Sequence, residues 1–363
     1  VSQPFLFPTP DGLFCPSGNF HIDPWKPVAR AVVTHAHSDH ACPGCETYLC
    51  ARSGASILRV RTGAAIAAIT PLDFNTPITL GDTRVSLHPA GHILGSAQVR
   101  VERTGPPRSP TSGEVWVVSG DYKTIADRTC ESFEPVRCHV FITESTFGLP
   151  VYRWRDQLSI FKDINAWWLE NQAQQRTSIL FAYALGKAQR VLGGIDPSIG
   201  PIVSHGAVAR LNRAYHDAGI HLPDAPLQTE SSHDVRGRGL VIAPPSAAGS
   251  PWLRSFAKGQ ASGGLSAGFV SGWMQLRGTR RRRAVDRGFP LSDHADWDGL
   301  LTTIRETGAH RIGVTHGYVQ PLVRYLRENM GLDAFAVPTR FQGEINESAP
   351  SAEDDPLSPE DAS

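Results

Sequence analysis

Hydrophobic and polar positions alternate along this chain in two different styles. Over the first 150 residues the apolar positions come as short runs, Ala31-Val32-Val33, Val85-Ser86-Leu87, Val115-Trp116-Val117-Val118 and Val140-Phe141-Ile142, broken by glycine, proline and aspartate turns. Short runs bounded by turn residues predict β-strands. Three of them end almost on a polar motif, and the Val85 run reaches Gly91-His92 after a brief loop. From about Asp156 the pattern becomes alternating: a helix over Gln157 to Asn171, a strand at Ser178 to Phe181, a helix over Leu185 to Val191, a strand at Pro201 to Ser204, a helix from His205 and a strand at Leu240 to Ala243. Such alternation predicts a doubly wound α/β unit. It carries no phosphate-binding fingerprint, because Gly193-Gly194 is an isolated turn signal and not GxGxxG. After Phe289-Pro290 the first style returns, with Ser292-Asp293-His294-Ala295-Asp296, a helix, and Arg311-Ile312-Gly313-Val314-Thr315-His316-Gly317. The expected organisation is therefore one domain in two segments, 1–150 and 286–347, flanking an inserted domain at 151–285. Serine, proline and acidic residues over 348–363 predict a disordered tail.

Length and composition narrow the class. With 363 residues and 40% apolar content, the chain is expected to be soluble, with one large core or two closely joined domains. No apolar run approaches the ~20 residues of a membrane span, and no basic stretch with an apolar signal core opens the chain, so a cytoplasmic protein without membrane association is the expectation. Lysine plus arginine equals aspartate plus glutamate at 35 each, which gives no global positive field. The basic residues are uneven, however: Arg277, Arg280, Arg281, Arg282, Arg283 and Arg287 fall close together, as either a solvated loop or a contact to phosphate backbone. The six cysteines do not form a secreted disulfide framework, and Cys42 and Cys45, although spaced like zinc ligands, have no matching second pair.

Candidate chemistry is concentrated in Thr34-His35-Ala36-His37-Ser38-Asp39-His40. Three imidazoles and a carboxylate in six residues are expensive to bury unless metal ions neutralise them. His35 and His37 can converge on one ion, while Asp39 and His40, further round the loop, can reach a second. His92 stands between glycines in Ala90-Gly91-His92-Ile93-Leu94-Gly95-Ser96, where it can complete the first set, and Asp121 follows an apolar strand with two oxygens able to bridge two ions. Glu144, Asp293-His294 and His316 end later strands and extend the same reaction centre. Ser145 and Thr146 adjoin it, and Ser246 and Ser271-Gly272-Trp273 offer hydroxyl and backbone contacts to a phosphate or sugar, although ordinary loop duty is the plainer reading. Trp273 reads first as partly buried core, and His205 as structural or substrate-positioning.

At these residues the chain resembles a known family. His35-Ala36-His37-Ser38-Asp39-His40, His92 and Asp121 resemble the signature of the metallo-β-lactamase fold, and Glu144 with Ser145-Thr146-Phe147-Gly148, His294 in Ser292-Asp293-His294-Ala295-Asp296 and His316-Gly317 match the three additional motifs of the β-CASP nuclease branch. The match spans residues 35 to 317 and looks most like compact bacterial ligase-associated DNA exonucleases, themselves similar to RNA 3′-end-processing factors. The resemblance implies an α/β protein in which a metallo-β-lactamase αββα sandwich carries an inserted, doubly wound β-CASP domain. It implies two Zn2+, with Mn2+ as an alternative: His35, His37 and His92 on one ion, Asp39, His40 and His316 on the other, and Asp121 between them. Glu144 and His294 would be the paired acid–base apparatus.

The expected activity is phosphodiester hydrolysis, with a DNA exonuclease acting 5′ to 3′ in repair as the main reading. The partner is then nucleic acid, with a DNA ligase or helicase as a protein partner. RNA processing is the alternative, since His316 resembles the RNA-processing branch. A small-molecule metallo-hydrolase, such as a thioesterase or lactonase, and an inactive scaffold are the other classes. The added Glu144, His294 and His316 argue against the first, and the full donor set against the second.

Overall fold

The computed structural model describes residues 4–104, 113–227, 235–257, 264–276, 278 and 285–340. Arg277, Arg280, Arg281, Arg282 and Arg283, and the tail expected at 348–363, lie outside the described residues. The described residues divide into two units, 4–153 with 294–340 and 154–293.

The first unit begins with six short strands, β1 (Phe7–Thr9), β2 (Gly12–Cys15), β3 (Phe20–Ile22), β4 (Arg30–Val32), β5 (Thr47–Ala51) and β6 (Ile69–Leu72), hydrogen-bonded in that order into one sheet. β1 to β3 run antiparallel and β3 to β6 parallel. α1 (Ala55–Thr62) follows β5. A second sheet holds β7 (Ile78–Leu80), β8 (Thr83–Pro89), β9 (Ala97–Arg103), β10 (Val115–Val118) and β11 (Val140–Thr143), with antiparallel pairing up to β10 and parallel pairing of β10 with β11.

The continuous apolar runs of β10 and β11 are explained by burial on both faces. Trp116, Val118, Val140 and Ile142 join Phe20, Ile22, Val32 and Leu49 of the first sheet in a single core. One residue out of phase, Val115, Val117 and Phe141 face a second core. The period of two along each strand sorts the side chains between the cores.

In the second unit every strand pair is parallel. It consists of α2 (Gln157–Ala173), β12 (Thr177–Phe181), α3 (Lys187–Gly194), β13 (Ile202–Ser204), α4 (Gly206–Asp217), β14 (Leu240–Ala243), α5 (Pro251–Ser255), β15 (Leu265–Val270) and β16 (Arg287–Phe289), with sheet order β13-β14-β12-β15-β16. Its core joins Ile179, Phe181, Val203, Val241 and Phe269, and the half-buried Trp273 packs against it as the sequence suggested. α3 starts two residues later than expected, because Gly186 takes φ 84° and ψ −65° ahead of it. His205 caps α4, its Nδ1 accepting the Ala207 N–H at 3.3 Å.

The chain then returns to the first unit with α6 (Trp297–Thr307), β17 (Arg311–Val314), α7 (Val319–Met330) and β18 (Asp333–Ala336). β17 pairs parallel with β11 and β18 with β17, completing a seven-stranded sheet, while Trp297, Leu301, Leu322 and Leu326 fill the second core. The fold class is mixed α/β. No helix among the described residues is long and apolar enough to cross a membrane.

Candidate metal centre

Five strand ends of the first unit deliver the polar side chains. The Thr34–His40 loop follows β4, His92 lies just past β8, Asp121 past β10, Glu144 directly after β11 and His316 after β17. In the first loop, His40 N and Ala41 N both donate to the His37 carbonyl, at 3.1 and 2.9 Å, so the chain winds tightly and turns its side chains inward. Glycine permits two close approaches. A Cβ on Gly91 (φ 75°) would sit 2.3 Å from the Lys123 carbonyl oxygen, and one on Gly120 (φ 57°) 2.6 Å from Thr34 Cβ. Asp121 is thereby held against the Thr34–His40 loop.

Four buried residues form the first donor set: His35, His37, His92 and Asp121. His35 Nε2 and His92 Nε2 each lie 3.0 Å from His37 Nδ1. One ring nitrogen carries either one proton or one lone pair, so it cannot satisfy both neighbours by hydrogen bonding. One cation among the three nitrogens would satisfy all of them. Asp39, His40 and His316 form the second set. His40 Nε2 is buried without a hydrogen-bond partner and faces Asp39 Oδ2 at 3.4 Å and Asp121 Oδ2 at 3.5 Å. Asp121 Oδ2 also stands 3.5 Å from His35 Nε2 and 3.9 Å from His92 Nε2, so one oxygen serves both sets. Imidazole nitrogens with carboxylate oxygens suit a borderline divalent ion such as zinc. The residues fit a two-ion centre.

The electrostatics agree with that chemistry. Burial, with His40 beside it, holds His35 well below the usual histidine range, and burial with His40 likewise lowers His316. Burial would raise Asp121 and Asp39, but the neighbouring His40 outweighs it and lowers both carboxyls. Burial would lower His40 too, yet Asp39, Asp121 and Asp23 together raise it well above its ordinary value.

Glu144 and His294 form a separate pair. His294 Nδ1 lies 3.0 Å from both Glu144 oxygens. Glu144 is 1% exposed, and its carboxylate also accepts Tyr122 N–H at 2.9 Å and Thr146 N–H at 3.3 Å. Donor atoms of Asp121, Glu144 and His294 all lie within 4.8 Å of one another. Ser145 is fully buried, and its hydroxyl donates to the Thr315 carbonyl at 3.2 Å and to that of His316. Ser145 thus supports the His316 loop, where His316 itself takes φ 49°. Thr146 is half-buried beside Glu144, and Ser246 is an exposed residue of a short turn in the second unit. Cys42 and Cys45 are free thiols, and neither belongs to a donor cluster among the described residues.

Two residues were missed in the sequence. Asp23, at φ 45°, accepts Thr34 N–H at 2.8 Å and the Thr34 hydroxyl at 2.6 Å, and meets His40 Nδ1 at 2.7 Å. That contact points His40 Nε2 toward the centre. Thr339 Oγ1 lies 3.2 Å from His316 Nε2. The available signal for Asp23 was an aspartate at a strand end, which Pro24 made look like an ordinary turn.

No protein-family model matches the chain. It is 32% identical over 335 residues to a probable DNA ligase of Opitutus terrae, a match covering 92% of this chain and 31% of the ligase. It is 31% identical over 133 residues to endoribonuclease YSH1 of Gibberella zeae, covering 35% of this chain and 14% of that protein. The chain thus spans 31% of the first relative and 14% of the second. A solved structure of a protein of unknown function from Enterococcus faecalis V583 aligns over 78% of this chain and 74% of its own, with a TM-score of 0.49 and 13% identity. The buried histidine and aspartate clusters support a metal-dependent hydrolase.

Proposed function

We propose that this chain is a two-metal phosphodiester hydrolase acting on nucleic acid, of the β-CASP branch of the metallo-β-lactamase fold, with the β-CASP insertion at 151–285. The observation that carries the reading is Asp121, whose Oδ2 is shared between both donor sets and which has a donor atom within 4.8 Å of those of Glu144 and His294. His35, His37 and His92 would hold one zinc or manganese ion, Asp39, His40 and His316 the other, and Asp121 both. Two such ions, when bound, neutralise a phosphate and acidify water.

The residues of the chain supply the rest. Glu144, fixed by two backbone N–H groups, orients His294 through Nδ1, so the imidazole presents Nε2 as the atom that passes a proton to the departing oxygen. Water adds to phosphorus, the ester P–O bond breaks, and that proton leaves an alcohol and a phosphomonoester.

Similarity to the endoribonuclease favours RNA processing over the DNA exonuclease of the main sequence reading. DNA is kept as the second reading by the ligase, whose similarity extends over 92% of the chain and which also suggests a ligase as protein partner. The deciding experiment incubates zinc- and manganese-loaded protein with single- and double-stranded RNA and DNA oligonucleotides labelled separately at each end, with His294→Ala as control. Internal RNA cleavage lost in the control supports the first reading. Stepwise DNA shortening moves the assignment to the second, and thioester turnover without either overturns both.

A further inference from the structure

Two cysteines stand in a tight turn directly after the metal-site loop, and none of the chemistry above uses them. The segment Cys42-Pro43-Gly44-Cys45 turns at Pro43 and Gly44, with Gly44 at φ 84°. Proline in the second position and a positive-φ glycine in the third suit a four-residue β-turn, which holds its end Cα atoms less than about 7 Å apart. A disulfide spans Cα separations of about 4.4–6.8 Å, so the turn brings the two cysteines within bonding range.

Three contacts keep the ends of the turn together. The Tyr48 hydroxyl accepts Cys45 N–H at 2.9 Å and donates to the Cys42 carbonyl at 2.8 Å, and Cys45 Sγ donates to that same carbonyl at 3.7 Å. Tyr48 belongs to β5 and is 1% exposed, so this clamp is part of the core. The thiols differ in access: Cys42 is half-buried and open to a small reagent, whereas Cys45 is buried beneath the turn. Burial first, and then the neighbouring Cys45 thiol, raise the Cys42 pKa. That influence makes the two thiols neighbours, and it makes Cys42 a slow nucleophile at neutral pH. Among the described residues no histidine, carboxylate or third cysteine joins them in a donor cluster, so a four-coordinate zinc lacks its ligands. A bond to one another needs no further ligand.

We infer that Cys42 and Cys45 are a dithiol site that closes to a reversible disulfide by exchange with a low-molecular-weight disulfide. The Cys42 thiolate attacks one sulfur of that reagent, the reagent's S–S bond breaks, and one thiolate leaves and takes up the proton that Cys42 lost. Cys45 then gives up its proton and attacks Cys42 Sγ, which forms the Cys42–Cys45 bond and expels the second half of the reagent as a thiol. Two protein thiols are oxidised by two electrons, and the reagent is reduced to two thiols. One residue separates the ring from His40: Ala41, 1% exposed, with its N–H on the His37 carbonyl at 2.9 Å. A change in the turn is thereby passed to Asp39 and His40, and oxidation weakens the second ion. This consequence rests on the two-ion reading.

The test incubates the full zinc-loaded chain with glutathione disulfide at about pH 8.5, near the ordinary thiol pKa. Free thiols are then alkylated under denaturing conditions and the cysteines mapped by mass spectrometry. The expected result is a Cys42–Cys45 disulfide that dithiothreitol reverses, with Cys15, Cys50, Cys130 and Cys138 still alkylated. Cys45→Ala should stop at one glutathione on Cys42, and Cys42→Ser should take none on Cys45. Full alkylation of Cys42 and Cys45, a glutathione adduct that persists on the wild type, or a disulfide to any other cysteine overturns the inference. Chelator competition on the reduced and oxidised forms is expected to show the second ion weakened about tenfold by oxidation, and equal affinities overturn the link to the metal loop. Should the chain bind no ion, the hydrolase reading fails, and the same mapping of the metal-free chain still decides whether the two thiols pair.

Discussion

A carboxylate that accepts two backbone N–H groups and one imidazole nitrogen has little capacity left to act as a free base, and this defines the division of labour between Glu144 and His294. Glu144 orients the ring, and the ring carries the proton. His294→Ala is therefore expected to retain both ions while kcat falls about 10²–10⁴-fold, measured by single-turnover cleavage beside metal analysis of the same sample; loss of an ion would instead place His294 among the ligands. Asp23 acts on the other side of the centre. By holding His40 Nδ1 at 2.7 Å it leaves Nε2 as the ligating atom, so Asp23→Ala should weaken the second ion by about 10–100-fold. Chelator-competition titration measures this, with the ion on His35, His37 and His92 as internal reference. Equal weakening of both ions would show general unfolding in place of an orienting role.

Elements buried on both faces were the most legible in the sequence. β10 and β11 announced themselves as unbroken apolar runs because alternate side chains fill different cores. β1 and β7 were not legible, since three residues with an exposed middle position carry no periodic signal. The start of α3 was displaced because Gly186, in a conformation that side chains resist, was not distinguishable from a helical glycine. His205 was recognised as a helix-start residue, but its capping atom was not. That atom has a pH consequence. Burial lowers the His205 pKa below the ordinary 6.5, and only the neutral ring can accept the Ala207 N–H. A histidine depressed in the folded state binds its proton more readily when unfolded, so this cap contributes stability above pH 6.5 that is lost progressively as pH falls below it. His205→Asn keeps an acceptor that does not titrate. The variant is expected to unfold in urea with a shallower loss of stability between pH 7 and 5 than the wild type; identical slopes would remove His205 from the acid response.

At the scale of the molecule, the candidate centre gathers residues from Asp23 to Thr339, and the ligand set itself was legible because histidines at HxHxDH spacing have few other uses when buried. Asp23 and Thr339 were hidden because an aspartate before proline and a lone threonine are ordinary loop residues in sequence. A centre assembled from five separate loops crowds four buried imidazoles, His35, His37, His40 and His92, with Asp121. Nitrogens 3.0 Å apart cannot all satisfy one another by hydrogen bonding, and His40 Nε2 faces carboxylate oxygens at 3.4 and 3.5 Å. Ions that bind the folded arrangement and not the unfolded chain must stabilise it by mass action, about 4 kcal/mol at a free concentration a thousand times Kd. For a folding unit of this size each kcal/mol shifts Tm by about 2–4 °C. Chelation should therefore lower Tm by about 8–16 °C, and readdition of zinc should restore it, both followed by calorimetry. His37→Ala should abolish most of that metal-dependent increment, because His37 Nδ1 is the atom both other histidines of the first set converge on. A Tm indifferent to chelator and zinc would mean that the donors, although gathered, do not hold the ions on which the hydrolase reading depends.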